Sequence, residues 1–479
     1  MNKLIFAAGL LTVCTTTASA ATDYFANTLA VIKPSHSQVA ISAIDLSNNQ
    51  LIYEHNADTL LLPASTQKLL TAVAAKIQLA VDFSFTTKLY TRGNIRNGKL
   101  DGDLYLSFSG DPTLTTDNLR DLFKQLADKG LYEISGDLFL FKQDNEQLQA
   151  PGWVWDDLGI CFAAPVSRFV INQNCILGQL KPQLASSESR LSFPSYLPAS
   201  LSTSAKFDKT EQQAFCQLEL QRLPRNHFHI SGCYPGSESI KLAIAISDPE
   251  LYAIQTVEQL IKSAQIRVKG KVTSTTQAVH NLRLVGQHQS ASLNELLTTM
   301  LQKSDNLIAD SLFKVIGSSY FNAPGSFTNG AAAVEKLLTE EGIDLSHSQI
   351  VDGSGLSRYN LLSANQLVQI LQLIYKDKRL QDLIEMLPAA GKSGTLRYKI
   401  PYTRAPLKDK VQAKTGSMQG VDNLAGFLSS PGEDDIVFVI LENGQSPKSK
   451  DEQLAPFNAL FLQSLLDNKP PQSELSSHP

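Results

Sequence analysis

Three segments near the C-terminus, VQAKTGSM, NLAGFLSS and DIVFVILENG, are strand candidates separated by turn residues, and together they pattern as an antiparallel sheet. At the other end of the chain, VAISAIDLSNNQLIYEHN alternates as two strands joined by a turn at Asn48-Asn49. A sharp step at Pro63 to Ser65 then enters a helix with Leu69, Leu70, Val73 and Ile77 on one face. The middle of the chain differs in texture. From about Phe85 to Val279 short strand-like runs such as KLDGDLYLSFSG and EISGDLFLF alternate with turns and Pro-rich loops, and from about 290 to 375 the pattern is helical. A last helix is expected near 452–467. The chain therefore reads as one helix-plus-sheet domain whose sequence is split by inserted, strand-rich material.

With 479 residues, 43% apolar and 18% charged, there is enough material for more than one core. The net charge of −4 and the lack of clustered Lys and Arg give no basis for a nucleic-acid partner. The N-terminus MNKLIFAAGLLTVCTTTASA has a basic Lys3, an apolar run from Leu4 to Val13 and a small-x-small ending, which reads as an export signal cleaved after Ala20. That run is too short to span a bilayer, and Val13 is bulkier than the residue that usually precedes a lipidated cysteine such as Cys14 would be. No membrane span is expected, at most a peripheral contact. Export leaves Cys161, Cys175, Cys216 and Cys233 in an oxidising compartment. Four cysteines allow three connectivities, or a zinc site for which no C-x-x-C spacing speaks. The short pairs Cys161 with Cys175 and Cys216 with Cys233 are favoured, each loop contributing roughly 3 kcal/mol. No motif supports a metal or organic cofactor.

Ser65 and Lys68, in PASTQKLLTA, stand one helical turn apart, so the amine can reach the hydroxyl. The plain alternative is a helix N-terminus with a solvated lysine, and Ser311 with Lys314 repeats the spacing. Two further groups favour chemistry. Ser304-Asp305-Asn306 offers a hydroxyl and a carboxamide at a helix joint. Lys414-Thr415-Gly416 ends a strand pattern, where a cation, a hydroxyl and a glycine permit close approach. A rival triplet, Lys392-Ser393-Gly394, lacks alternating apolar residues before it.

S-x-x-K, S-D-N and K-T-G in this order resemble the motif set of penicillin-binding proteins and class A β-lactamases. From 65 to 304 is 239 residues, far more than the compact enzymes place between the first two motifs. With PGWVWDDLGICFAAP, SDNLIAD, VDGSGLSRYN and AKTGSMQGVDNLAGF, that interval makes the chain similar to the low-molecular-mass class C penicillin-binding proteins, the D-alanyl-D-alanine carboxypeptidase/endopeptidases. The resemblance implies an α/β (α+β) fold: a β-lactamase/transpeptidase-like domain, its antiparallel sheet flanked by helices, interrupted by a strand-rich two-domain insertion. Expected boundaries are 1–20 for the signal, 21–86 and 282–470 for the split domain, 87–281 for the insertion, and 471–479 for a polar tail.

The same resemblance implies a periplasmic serine peptidase acting on peptidoglycan stem peptides, acylated at Ser65 and inhibited covalently by β-lactam antibiotics. Lys68 is implied as base, Ser304 as proton relay, Asn306 as binder of the peptide backbone, and Lys414 with Thr415 as holder of the terminal carboxylate. Backbone N–H groups of Ser65 and Ser417 would form the oxyanion hole, and Gly416 and Ser417 would join Thr415 in binding the substrate. If Lys414 lay about 4 Å from Lys68, repulsion of about 4 kcal/mol would lower the Lys68 pKa by roughly 3. Asp157, Phe162, Arg358 and Gln419 are implied as selectivity residues, the first and third suited by charge to a zwitterionic diaminopimelate end. Asp305 is expected to be structural, and Trp153 and Trp155 to pack the insertion.

Two other functions are weighed. A serine β-lactamase needs a deacylating Glu, and Glu340 and Glu341 read instead as a helix end closed by Gly342. A silent wall-binding scaffold sits poorly with the intact motifs. A Ser-His-Asp hydrolase is disfavoured because no G-x-S-x-G elbow occurs. Sequence leaves open the balance of carboxypeptidase and endopeptidase action and the oligomeric state.

Overall fold

The protein is described by a computed structural model covering residues 16–183, 187–208, 216–429, 435–446 and 455–467. The first 15 residues of the expected signal and the polar tail 471–479 lie outside the described residues. A helix, Thr16–Ile32, runs through the expected cleavage point, and beyond it Phe25 and Leu29 are buried. Among the described residues, no helix is long and apolar enough to cross a membrane.

The chain divides into two compact units. The first comprises Met1–Thr66, Leu362–Lys376 and Leu387–Pro479; the second comprises Gln67–Leu361 and Asp377–Met386. The chain thus passes from one unit to the other inside the S-x-x-K motif.

The first unit is built on a five-stranded sheet in the order Val411–Met418, Val421–Leu428, Ile436–Asn443, Gln38–Asp45, Leu51–His55, every neighbour antiparallel. The hairpin around Asn48-Asn49 forms as its alternation predicts, with Asn49 at φ 60° in the left-handed turn conformation. Strands Val421–Leu428 and Ile436–Asn443 are buried at every position, so both faces of the sheet are covered. Period-two alternation sorts their side chains. Ile41, Leu424, Phe438 and Ile440 pack with Phe25, Phe457, Phe461 and Leu462 of the helices Thr16–Ile32 and Phe457–Asp467. Phe427, of opposite parity, meets Tyr375 of the helix Ala364–Lys376 with ring centroids 6.2 Å apart.

In the second unit, the helices Lys68–Gln78, Leu293–Lys303, Asn306–Phe321 and Phe327–Glu340 pack together. Glycine sets the closest crossing. A Cβ on Gly330 would lie 2.6 Å from the Phe313 ring, and one on Gly317 would lie 2.5 Å from the Gly330 nitrogen. The same unit holds the strand-rich stretch, whose first and last strands, Thr86–Thr91 and Arg283–Gln289, pair antiparallel. Its apolar core includes Leu89, Leu106, Phe123, Leu140, Phe228 and Tyr252. Both favoured cysteine pairs are bonded, with Cα separations of 5.3 Å for Cys161–Cys175 and 5.0 Å for Cys216–Cys233.

Replacing Gly330 by Val forces two helices apart at Phe313, and a loss of about 1–3 kcal/mol in urea unfolding is expected. An unchanged midpoint would show that the crossing yields without cost.

Candidate active site

The Ser65 turn is built by the sheet. Residues Ala64–Gln67 form a single 3-10 turn, with Ala64 at φ 47° in the left-handed region that costs a side-chain-bearing residue about 1–2 kcal/mol. Side chains from two strands hold it there. Asn423 donates to the carbonyls of Leu62 and Pro63 at 2.8 and 2.9 Å, while Asn443 accepts from the Leu62 N–H at 2.8 Å. The Asn423 carboxamide oxygen in turn accepts from the Glu442 N–H at 3.0 Å. Thr66 closes the turn, its hydroxyl donating to the Pro63 carbonyl at 2.7 Å. Gly416 is the residue that lets the motif strand run alongside: a Cβ there would sit 2.7 Å from the Pro63 oxygen and 3.1 Å from the Thr66 methyl.

Lys414 lies on the strand Val411–Met418 as its pattern predicts, with no exposed surface, and its ammonium donates to the Thr415 carbonyl at 2.8 Å. The Thr415 hydroxyl is 2.8 Å from that of Thr395. Ser417 and Gln419 are exposed, the latter in the turn leading to Val421–Leu428. The rival Lys392-Ser393-Gly394 leads into a 3-10 turn, and Lys392 pairs with Asp409 at 3.2 Å on the surface. Its neighbour Thr395 still reaches the motif strand, a contribution that sequence did not suggest.

Lys68 opens its helix with no exposed surface, rather than pointing to water. Its ammonium donates to Asn306 Oδ1 at 2.7 Å and to the Ser354 carbonyl at 2.6 Å. Burial lowers its pKa to about 8, and the charges of Asp310, Asp352 and Asp305 pull the other way. At the joint of the helices, Ser304 takes φ 57°, ψ 39° as the C-cap, and Asp305 caps the next helix by accepting from the Ile308 N–H at 2.9 Å. Asn306 spends its amide on both sides, its Nδ2 donating to the Phe162 carbonyl at 2.9 Å.

Two buried carboxylates that sequence did not single out organise the loop receiving Lys68. Asp310 accepts from the N–H groups of Gly353 and Ser354 at 2.8 and 2.9 Å, and burial followed by the charge of Asp352 pushes its carboxyl well above the usual range. Asp352 accepts from the N–H groups of Gly355 and Ser357, from Asn360 Nδ2 and from the Trp153 indole, at 2.7–2.9 Å. The stretch VDGSGLSRYN is therefore a loop folded round one carboxylate, and Thr71 of the Lys68 helix donates to its Gly353 carbonyl at 2.7 Å.

Asp157, Phe162 and Arg358 belong to the second unit, and Gln419 to the first. Asp157 sits in the 3-10 turn Trp155–Gly159; burial raises its pKa and the Arg358 charge opposes this, so the two are electrostatic neighbours. Phe162, next to the Cys161–Cys175 bridge, is 45% exposed. Trp153, expected to pack the insertion, packs instead against Phe327 of the helix Phe327–Glu340, while Trp155 touches the insertion at Arg222. It is 75% exposed, covered on one face by the Arg222 guanidinium 4.8 Å from its ring.

The pattern of the D-Ala-D-Ala carboxypeptidase 3 (S13) family matches residues 26–462. The chain belongs to this family. Among S13 relatives, a D-alanyl-D-alanine carboxypeptidase, DacB, of Haemophilus influenzae is 35% identical over 419 residues, 86% of this chain and 87% of the relative. A D-alanyl-D-alanine carboxypeptidase of an Actinomadura species is 28% identical, over 85% of this chain and 78% of the relative. The crystal structure of penicillin-binding protein 4 (dacB) from H. influenzae superposes with a TM-score of 0.85 at 33% identity, covering 92% of this chain and 98% of that one. The fold is thus the β-lactamase/transpeptidase-like fold of that protein.

Asn423→Ala takes one donor each from the Leu62 and Pro63 carbonyls of the Ser65 turn and the acceptor from the Glu442 N–H, so a loss of about 1–3 kcal/mol is expected in chemical denaturation. Wild-type stability in that variant would mean the turn is held by other contacts.

Proposed function

We propose that the protein is a periplasmic serine D,D-peptidase acting on peptidoglycan through an acyl-Ser65 intermediate. The observation that carries this reading is the buried Lys68, lowered to about 8 and seated on the Asn306 carboxamide one turn of chain from Ser65. Such an amine is neutral in a useful fraction near physiological pH and can take the hydroxyl proton.

In this mechanism Ser65 attacks the carbonyl joining the stem peptide's terminal D-alanine, or the equivalent bond of a D-alanyl-diaminopimelate cross-link. Lys68 takes the serine proton. The N–H groups of Ser65 and Ser417 hold the oxyanion, each worth about 3 kcal/mol. Ser304 relays the proton to the leaving amine, and water then releases the acyl group. Lys414 and Thr415 bind the terminal carboxylate, Asn306 the peptide backbone. Asp157, Phe162, Arg358 and Gln419 select the side chain. Family membership, and relatives named for D-alanyl-D-alanine carboxypeptidase activity, support the substrate class. The H. influenzae penicillin-binding protein 4 has also been crystallised with a β-lactam. Two disulfides and the export-type N-terminus support a periplasmic location. In this reading residues 87–281 form the insertion.

Exposed to a fluorescent penicillin, the wild type is expected to carry one slowly decaying adduct by intact mass, and Ser65→Ala none. An adduct on the Ala variant would refute the nucleophile. Rapid drug turnover would point to a β-lactamase, and no adduct on wild type to a scaffold.

A further inference from the structure

The helix Asn306–Phe321 carries a polar stripe at i, i+4 and i+8: Asn306, Asp310 and Lys314. The first two belong to the Lys68 network. Lys314, the lysine of the second S-x-x-K, has no place in the mechanism, yet it is nearly fully buried, at 6% exposure. Its ammonium donates to the carbonyl of Val166 at 2.6 Å and to that of Gln147, and it lies 4.9 Å from the Phe327 ring centroid. A desolvated ammonium on two backbone carbonyls is expensive to keep unless it fixes something.

The fixed element is a strap. Asn306 holds the Phe162 carbonyl and Lys314 holds that of Val166, four residues on. Phe162 lies in the 3-10 turn Cys161–Ala163 and the chain opens out at Ala164, so the segment 162–166 is tied at both ends to one helix, at positions ~12 Å apart along its axis. Glu146 secures its far end, accepting from the Arg168 N–H at 2.5 Å and from the Ser167 hydroxyl at 3.1 Å. Gln147 accepts from the Phe327 N–H at 3.0 Å, which seats the other strand of the clamp. At the near end the backbone runs back through Cys161, itself bonded to Cys175, and Ile160 into the turn that bears Asp157.

We propose that Lys314 is a positioning residue for side-chain selection: by pinning Val166 and Gln147 to the Asn306 helix it sets the place of Phe162 and, through it, of Asp157 against Arg358. This rests on the peptidase reading above. Ser311 and Lys314 are then no second nucleophile and base: Lys314 is a tether on the same face of the helix as Asn306.

The test compares two peptides, a pentapeptide stem carrying diaminopimelate and a diacetyl-lysyl-D-alanyl-D-alanine that lacks the zwitterionic end. For Lys314→Met, KM for the first is expected to rise about tenfold with kcat held, while kcat and KM for the second stay near wild type. Equal losses on both substrates would mark a merely structural lysine and overturn the proposal, as would unchanged KM on both. Should the methionine variant not fold, Ser167→Ala, which loosens the same strap, is expected to raise KM for the first peptide alone about twofold to threefold. Equal losses on both or no change would again overturn it. A wild type that cleaves neither peptide would instead refute the peptidase reading and the inference with it.

Discussion

A lysine with no exposed surface must receive its acceptors from the chain around it, and much of the second unit's helical part is arranged to supply them to Lys68. The Asn306 carboxamide and the Ser354 carbonyl take its protons. Each is itself held: Asn306 by the Phe162 carbonyl, Ser354 by the carboxylate of Asp310. Asp352 then folds the loop that presents Ser354, with four donors on its two oxygens. The cost of desolvating the amine is met by these partners, and the same desolvation lowers its pKa into a range where it can act as a base.

The nucleophile turn shows a parallel economy. In strands buried on both faces a polar side chain needs a partner, and the carboxamides of Asn423 and Asn443 find theirs in the nucleophile turn. They hold Leu62 and Pro63 in a conformation that places Ala64 in left-handed space. Strain at that residue is sustained because the sheet over-determines the two residues before it. Gly416 completes the arrangement, since any side chain at that position would displace the turn.

The fold was legible where periodicity or punctuation is local. Asn48-Asn49 announces a hairpin, and VQAKTGSM, NLAGFLSS and DIVFVILENG read as strands because apolar runs and turn residues need no distant partner to be recognised. The short cysteine pairs were legible for the same reason. Asn423 and Asn443 were not, because their partners lie 361 and 381 residues away. Asp310 was hidden as well: a carboxylate in NLIADSLF reads as a helix's solvated face until the loop at Gly353 covers it. The burial of Lys68 has no signature at all in PASTQKLLTA, and repulsion from Lys414 was the expected cause of a lowered pKa where burial is the largest. Trp155 failed in the other direction, since an indole in a tryptophan-rich stretch suggests packing and this one faces solvent.

The mechanism turns on the protonation of Lys68, which can be read directly by titrating 13C-labelled lysines in the free protein by NMR, with Lys68→Arg identifying the resonance. A lowered pKa means the neutral fraction grows as pH rises through that value. A midpoint near 8 is predicted, with penicillin acylation of Ser65 rising through the same range. A Lys68 signal that stays fully protonated to about pH 10, alongside acylation already complete at neutral pH, would contradict Lys68 as the base.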